Sequence, residues 1–399
     1  MQMVKKVCVF TGGRAEYGLL KPLIEAIDGD QNTQLQLLVS GMHLSPEFGM
    51  TVRVIEADGY HPDEKVEMLL SADTPVAVCK SMGLGLIGLS EALNRLKPDI
   101  VVILGDRFES MAMATASLVC RIPIAHIQGG ELTYGAIDDS IRHSISKMSS
   151  LHFTYTEEYR RRVIQLGEDP ACVFNVGGLN NEVIHNMALL PQTELEKEID
   201  FKLDHPSILM TFHPVTLEND TSRTQFGNLL AVLEQHGDLC CVLTKTNADT
   251  EGRIINRMID EFVSRHPERA AAYTSMGQLR YLSTMNVVDA VVGNSSSGII
   301  ETPSFKVPTV NIGDREEGRI RAANIIDCEP TVSGIDVALT KALSREFRHS
   351  LAVMENPYYK PDTAVNIKNA IKRHRLVDGT KKRFFDIAPD LVQVTGQSR

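Results

Sequence analysis

The chain has 399 residues, 43% hydrophobic and 23% charged, with a formal net charge of −10, the make-up of a globular protein too long for one small core. The acidic balance, with no basic block, argues against nucleic acid as a partner, and no apolar run reaches the roughly eighteen residues of a membrane-spanning helix. The 7 cysteines and 12 histidines show neither C-x-x-C nor metal-ligand spacing, so the expectation is a cytoplasmic protein with reduced thiols and no metal or other cofactor.

Residues 1–6 run straight into a strand-like stretch without a signal-peptide pattern. Short β-branched runs then alternate with helical stretches. Segments 7–11, 35–39, 100–104, 122–127, 152–154 and 173–176 read as buried strands. Between them, 19–27, 75–96, 109–119, 139–148 and 157–166 carry helical periodicity. Residues 180–206 are polar and interrupt the pattern. It restarts with strands at 208–212, 239–244, 290–293 and 307–312, and helices at 226–234, 253–265, 278–284 and 335–343. Two βαβα series joined by a linker predict an α/β protein of two doubly wound, Rossmann-like domains with a cleft between them. The expected domains are 1–180 and 190–360. A last helix at 363–375 is expected to pack back on the first domain, ahead of a polar tail at 376–399.

Parallel sheets bind ligands at the carboxyl ends of their strands, so the candidate residues are sought there. The first strand ends in Thr11-Gly12-Gly13-Arg14, where two glycines allow close approach and Arg14 adds a cationic fork. Another ends in Gly105-Asp106-Arg107, either a helix cap with a solvated ion pair or a catalytic carboxylate beside its electrostatic partner. The next ends in Gln128-Gly129-Gly130-Glu131, followed by Asp138-Asp139 at a helix start. Acids gathered at one sheet end repel and desolvate one another, which shifts some toward acid–base use. One of Asp138 and Asp139 reads as a plain helix cap. In the second half, His213 follows a buried strand, as either a structural or a catalytic histidine. Asn294-Ser295-Ser296-Ser297-Gly298 follows another strand with clustered hydroxyls and amides suited to a diphosphate. Arg315 closes the last main strand. Gly83-x-Gly85-x-x-Gly88 fits a dinucleotide fingerprint, but 75–96 reads better as one continuous helix.

Taken together, Gly12–Gly18, Ser40-Gly41-Met42-His43, Gly105–Glu109, His126–Glu131, Thr211–Pro214 and Gly293–Glu301 resemble the UDP-N-acetylglucosamine 2-epimerase family over about residues 5–375. Asn247-Ala248-Asp249 and Asn356-Pro357-Tyr358 resemble its hydrolysing branch, used in bacterial sialic and legionaminic acid synthesis. The resemblance implies a glycosyltransferase-B-like fold with the active site in the interdomain cleft and a homodimer or homotetramer. It implies catalysis by Asp106, Asp138 and His213, with Glu131 standing in for a family glutamate where this chain has Gln128. It also implies a UDP-sugar held by Arg14, Arg107, Asn247, Ser295, Ser296, Gly298, Glu301 and Arg315, and uracil near 275–279. The reaction implied is UDP-N-acetylglucosamine plus water giving N-acetylmannosamine and UDP, through elimination to a glycal and its hydration. The alternative is the same chemistry on a 2,4-diacetamido-2,4,6-trideoxy sugar. A glycosyltransferase or a non-catalytic UDP-sugar sensor stands further off.

Overall fold

The computed structural model describes residues 4–72, 74–215, 221–246, 252–374 and 381–387. The first sheet has seven strands: β1 (Lys5–Thr11), β2 (Thr33–Ser40), β3 (Glu64–Val66), β4 (Ile100–Leu104), β5 (Ile124–Ile127), β6 (Leu151–Thr154) and β7 (Val173–Asn175). They lie in the order β3-β2-β1-β4-β5-β6-β7 and pair in parallel. The second sheet has β8 (Ser207–Thr211), β9 (Cys240–Thr244), β10 (Ala270–Tyr273), β11 (Ala290–Gly293), β12 (Thr309–Ile312) and β13 (Ile325–Cys328), ordered β10-β9-β8-β11-β12-β13, again parallel.

Both sheets are doubly wound, because central strands buried on two faces need helices on both sides. The apolar runs of β1 and β4 supply one such core: Val7, Val9, Val102 and Leu104 face one helical layer, and Cys8, Phe10, Val101 and Ile103 the other. The second sheet repeats this with Ile208 and Met210 on one side and Leu209 on the other. In each sheet the chain reverses direction of growth once, between β1 and β4 and between β8 and β11. A crevice opens at such a switch point, because the connections leave its two strands toward opposite faces.

Several expectations need revision. Residues 180–206 are not a bare linker, since helix Leu179–Asn186 overlaps its start and helix Gln192–Ile199 lies within it. The second of these buries only Leu195 and Ile199, too few apolar positions to stand out in a charged stretch. Strands β3, β10 and β13 were not expected, being short edge or near-edge elements of weak composition, such as Ala-Ala-Ala-Tyr in β10. The tail is partly docked: Phe385 N donates to Gly167 O at 2.9 Å, and Lys382 Nζ pairs with Glu168 at 2.6 Å.

Helix Pro75–Leu96 is continuous, starting at a Thr74 cap on Ala77 N, so its glycines form no nucleotide loop. Gly85 and Gly88 lie against the side chains of Met68 and Val66. By length and apolar content alone this helix is sufficient to cross a membrane, which corrects the exclusion made from the sequence. Its inner face nevertheless covers the first sheet through Ala77, Leu89, Ala92 and Leu93.

The last helix, Thr363–Arg373, buries Ala364, Ile367 and Ile371 in the core around β1. Lys5 Nζ donates to Ile371 O at 2.8 Å, and Lys372 pairs with Asp30 at 2.7 Å. The chain therefore returns to its first sheet after completing the second.

Candidate active site

Four of the sequence motifs fall on the two switch points. Gly12-Gly13-Arg14 follows β1 and Asp106 follows β4. His213 follows β8 and Asn294–Ser297 follows β11. At the second switch point Gly293 has φ 142°, and a Cβ there would meet Thr211 O at 1.9 Å. Only glycine lets β11 turn so close to β8. Asn294 then turns inward and holds the neighbouring strand end. Its Oδ1 accepts from His213 N at 2.7 Å, and its Nδ2 donates to His213 O at 2.8 Å.

Ser295 and Ser296 are half-buried at the turn, beside Ser297, whose hydroxyl bonds Tyr281 at 2.9 Å and also Glu301. Burial pushes the Glu301 carboxyl up, against bonds from Ser297 and Asn180. The Gly298 amide donates to Ser295 O at 3.0 Å, and a Cβ at Gly298 would crowd Thr309 at 3.1 Å. Gly298 thus supplies closeness to β12, with its amide already used inside the turn. Arg315 donates through Nη1 to Asn294 O at 3.0 Å and pairs with Glu316. Asn247 lies outside the described residues.

Across the cleft, Arg14 is partly buried and has a buried Nη1 without a hydrogen-bond partner among the described residues. Burial and the neighbouring Arg280 lower its pKa, against Tyr281. A Cβ at Gly18, one turn along, would meet Gln278 at 3.0 Å, so segment 275–279 packs on the helix that carries Arg14. Arg107 reaches Glu109 at 3.3 Å. That pair adjoins a second acid the sequence reading passed over. Glu16 accepts from Gly12 N at 2.7 Å and is pushed up to about 7, by burial first and then by Glu109.

The acids beyond β4 and β5 are organised by Arg142, which is fully buried. Its Nη2 pairs with Asp106 and donates to Thr133 Oγ1 at 3.0 Å, while Nη1 donates to Glu131 O at 3.0 Å and Asp139 Oδ1 at 3.3 Å. Asp139 also accepts from Thr133 N at 2.7 Å, so it ties the preceding loop to the helix from inside the first turn, whereas the cap position is taken by Ile137 and not by the aspartate the sequence suggested. Asp138 opens helix Asp138–Met148 half-buried. Burial alone would raise Asp106, but Arg142 and Arg319 outweigh it and hold this carboxyl below the ordinary range. Glu131 is shifted the other way: burial raises it, against Arg319 and Arg142. Its Oε2 pairs with Arg319 and accepts from Gln128 Nε2 at 3.2 Å. Gln128 itself sits at φ 72°, a strained conformation for a residue with a side chain.

Arg142 and Arg319 are functional candidates that strand-end reasoning missed. Arg142 was detectable three residues beyond Asp139 on one helix, but Arg319 required knowing how the two sheets dock.

A sequence profile of the UDP-N-acetylglucosamine 2-epimerase family matches residues 25–372. The chain belongs to this family. It is 44% identical, over 87% of its length and 89% of the relative's, to a GDP/UDP-N,N'-diacetylbacillosamine 2-epimerase (hydrolyzing) from Campylobacter jejuni. It is 35% identical, over 96% and 98% of the two chains, to polysialic acid biosynthesis protein P7 of Escherichia coli. A Legionella pneumophila UDP-N,N'-diacetylbacillosamine 2-epimerase (hydrolyzing) is 33% identical over 86% and 90%. The chain is accordingly an enzyme of the hydrolysing 2-epimerase class. Its fold is shared with the Neisseria meningitidis UDP-GlcNAc 2-epimerase crystallised with UDP-GlcNAc, with TM-score 0.77, 17% identity, and coverage of 93% and 100% of the two chains.

Proposed function

We propose that this enzyme converts UDP-N,N'-diacetylbacillosamine and water into UDP and the free sugar inverted at C2. The substrate choice rests on the 44% and 33% identical relatives named for that sugar. UDP-N-acetylglucosamine is the second reading, favoured by the relative of that name in Neisseria meningitidis at 29% identity.

The chemistry follows from the leaving group. The C2 hydrogen of such a sugar is not acidic in the ground state, but C1 carries UDP. As the C1–O bond breaks, positive charge at C1 acidifies C2–H, and a carboxylate removes the proton to give the glycal. Water then adds its oxygen at C1, and a proton is delivered to C2 from the opposite side. The sequence requires an ionised base, a protonated acid, and donors facing the departing diphosphate.

The observation that carries the reading is that Arg142 gathers two acids at one sheet end, pairing with Asp106 and donating to Glu131 O at 3.0 Å. Asp106 is held ionised by Arg142, and Glu131 is pushed toward its neutral form by burial, the division of labour that an acid–base pair needs. In this reading Asp106 takes the C2 proton and Glu131 returns one, with Asp138 orienting the water. His213, Arg14, Arg107, Arg315 and the Ser295-Ser296 turn stabilise the diphosphate, and Glu301 accepts from the ribose. Asn247 and Gly298 complete the proposed nucleotide site. Incubation with each UDP-sugar, followed by identification of the released sugar, tests the assignment. Release of N-acetylmannosamine alone would favour the second reading, and release of neither sugar would refute both.

A further inference from the structure

Arg319 and Glu316 come from the loop after β12, yet they complete the acid cluster of the other domain. Arg319 is 4% exposed and lies between Glu131, at 0%, and Glu316, at 1%. It pairs with Glu131 and lies 2.5 Å from Glu316, whose other oxygen engages Arg315. Arg315 in turn donates to Asn294 O, and Asn294 grips His213. An unbroken chain of charged and hydrogen-bonded groups therefore runs from the acid beyond β5 to the histidine beyond β8.

The loop is fixed where it meets the first domain. Ile320 N donates to Tyr159 Oη at 3.1 Å and Ile320 O accepts from Tyr358 Oη at 2.7 Å. A Cβ at Gly135 would meet Arg315 Cα at 2.8 Å, so the 132–136 segment lies directly on this loop.

We propose that Arg319 is a positioning residue for Glu131, shared with Glu316 so that the competition between the two carboxylates sets how readily Glu131 exchanges its proton. This rests on the acid role assigned to Glu131 above. A guanidinium given wholly to Glu131 would lock that carboxyl as an anion. Its absence would leave Glu131 buried and locked as an acid. Sharing with Glu316 places it between these limits. The other groups facing Glu131 are Arg142, Asp106, Gln128, Tyr155, Tyr159 and Tyr358. None of them is altered by the substitutions below.

The proposal predicts opposite shifts from the two partners. In protein carrying carboxyl-labelled glutamate, the carbon-13 signal lost in Glu131→Gln identifies Glu131. Its titration midpoint should move down in Glu316→Gln, where Arg319 has one partner left, and up in Arg319→Gln. Arg319→Lys should restore most of the wild-type midpoint. In turnover, the alkaline limb of kcat should move in the same two directions. Shifts in the same direction, or an unmoved Glu131 midpoint in Glu316→Gln, would overturn the proposal. If Arg319→Gln does not fold, the Glu316→Gln shift decides alone. The labelled titration needs no turnover, so an inactive wild type would refute the functional reading while leaving this inference separately decided.

Discussion

Asn294 holds His213 by both of its backbone polar groups, accepting from the amide at 2.7 Å and donating to the carbonyl at 2.8 Å. The two residues end neighbouring strands, β8 and β11, and Asn294 is fully buried. One side chain thereby fixes the histidine and starts the Ser295-Ser296 turn.

Asn294→Ala removes both bonds and orphans two backbone groups in a buried site. Unfolding stability should fall by about 1–3 kcal/mol, and kcat should drop at least tenfold as the strand end loosens. Denaturant unfolding and turnover check this. Unchanged turnover would show that the clamp serves only the fold.

Ser295→Ala with Ser296→Ala should weaken UDP by roughly 1–3 kcal/mol, the loss of hydrogen bonds to a charged group. Calorimetric titration with UDP reads this directly. Unchanged affinity would reduce the serines to the local geometry of the turn.

Much of this site was visible in the sequence, and the reason is geometric. Arg14, Asp106, His213 and Ser295 each follow a β-branched run, and parallel strands deliver their carboxyl ends to one edge. Arg319 escaped because its partner Glu131 is 188 positions away in the chain and meets it only when two separately wound sheets face each other. Helix Gln192–Ile199 escaped because two buried leucine-type positions in a charged octapeptide carry little periodic signal. The polar tail gave no sign that Lys382 would reach Glu168.

That contact makes acid sensitivity predictable. Burial would raise Glu168, but His152, Lys382 and Lys147 outweigh it and hold the carboxyl down at about 2. A depressed folded-state value contributes stability above the unfolded value of about 4.5 and loses it as pH falls toward 2. The contribution has a ceiling of about 3 kcal/mol. The stability advantage of wild type over Glu168→Gln should be full at pH 7 and shrink steadily below about pH 4.5. An advantage independent of pH would mean that the cluster does not act through its charge.

Glu131→Gln and Asp138→Asn keep size and polarity but remove basicity. Each should fold, bind UDP with near-normal affinity and turn over a hundred- to ten-thousand-fold more slowly. Gln128→Glu should raise activity no more than a few-fold, since the proposed mechanism places its acid at Glu131. A large gain there would assign the catalytic acid to position 128 instead.

The central claim is that the C2–H bond is broken and remade as UDP departs. Turnover of UDP-N,N'-diacetylbacillosamine in deuterated water, with the released sugar read by mass spectrometry and proton NMR, tests it most directly. The account predicts one deuterium at C2, inverted configuration there, and an equivalent of UDP. Released sugar with hydrogen retained at C2 would contradict it.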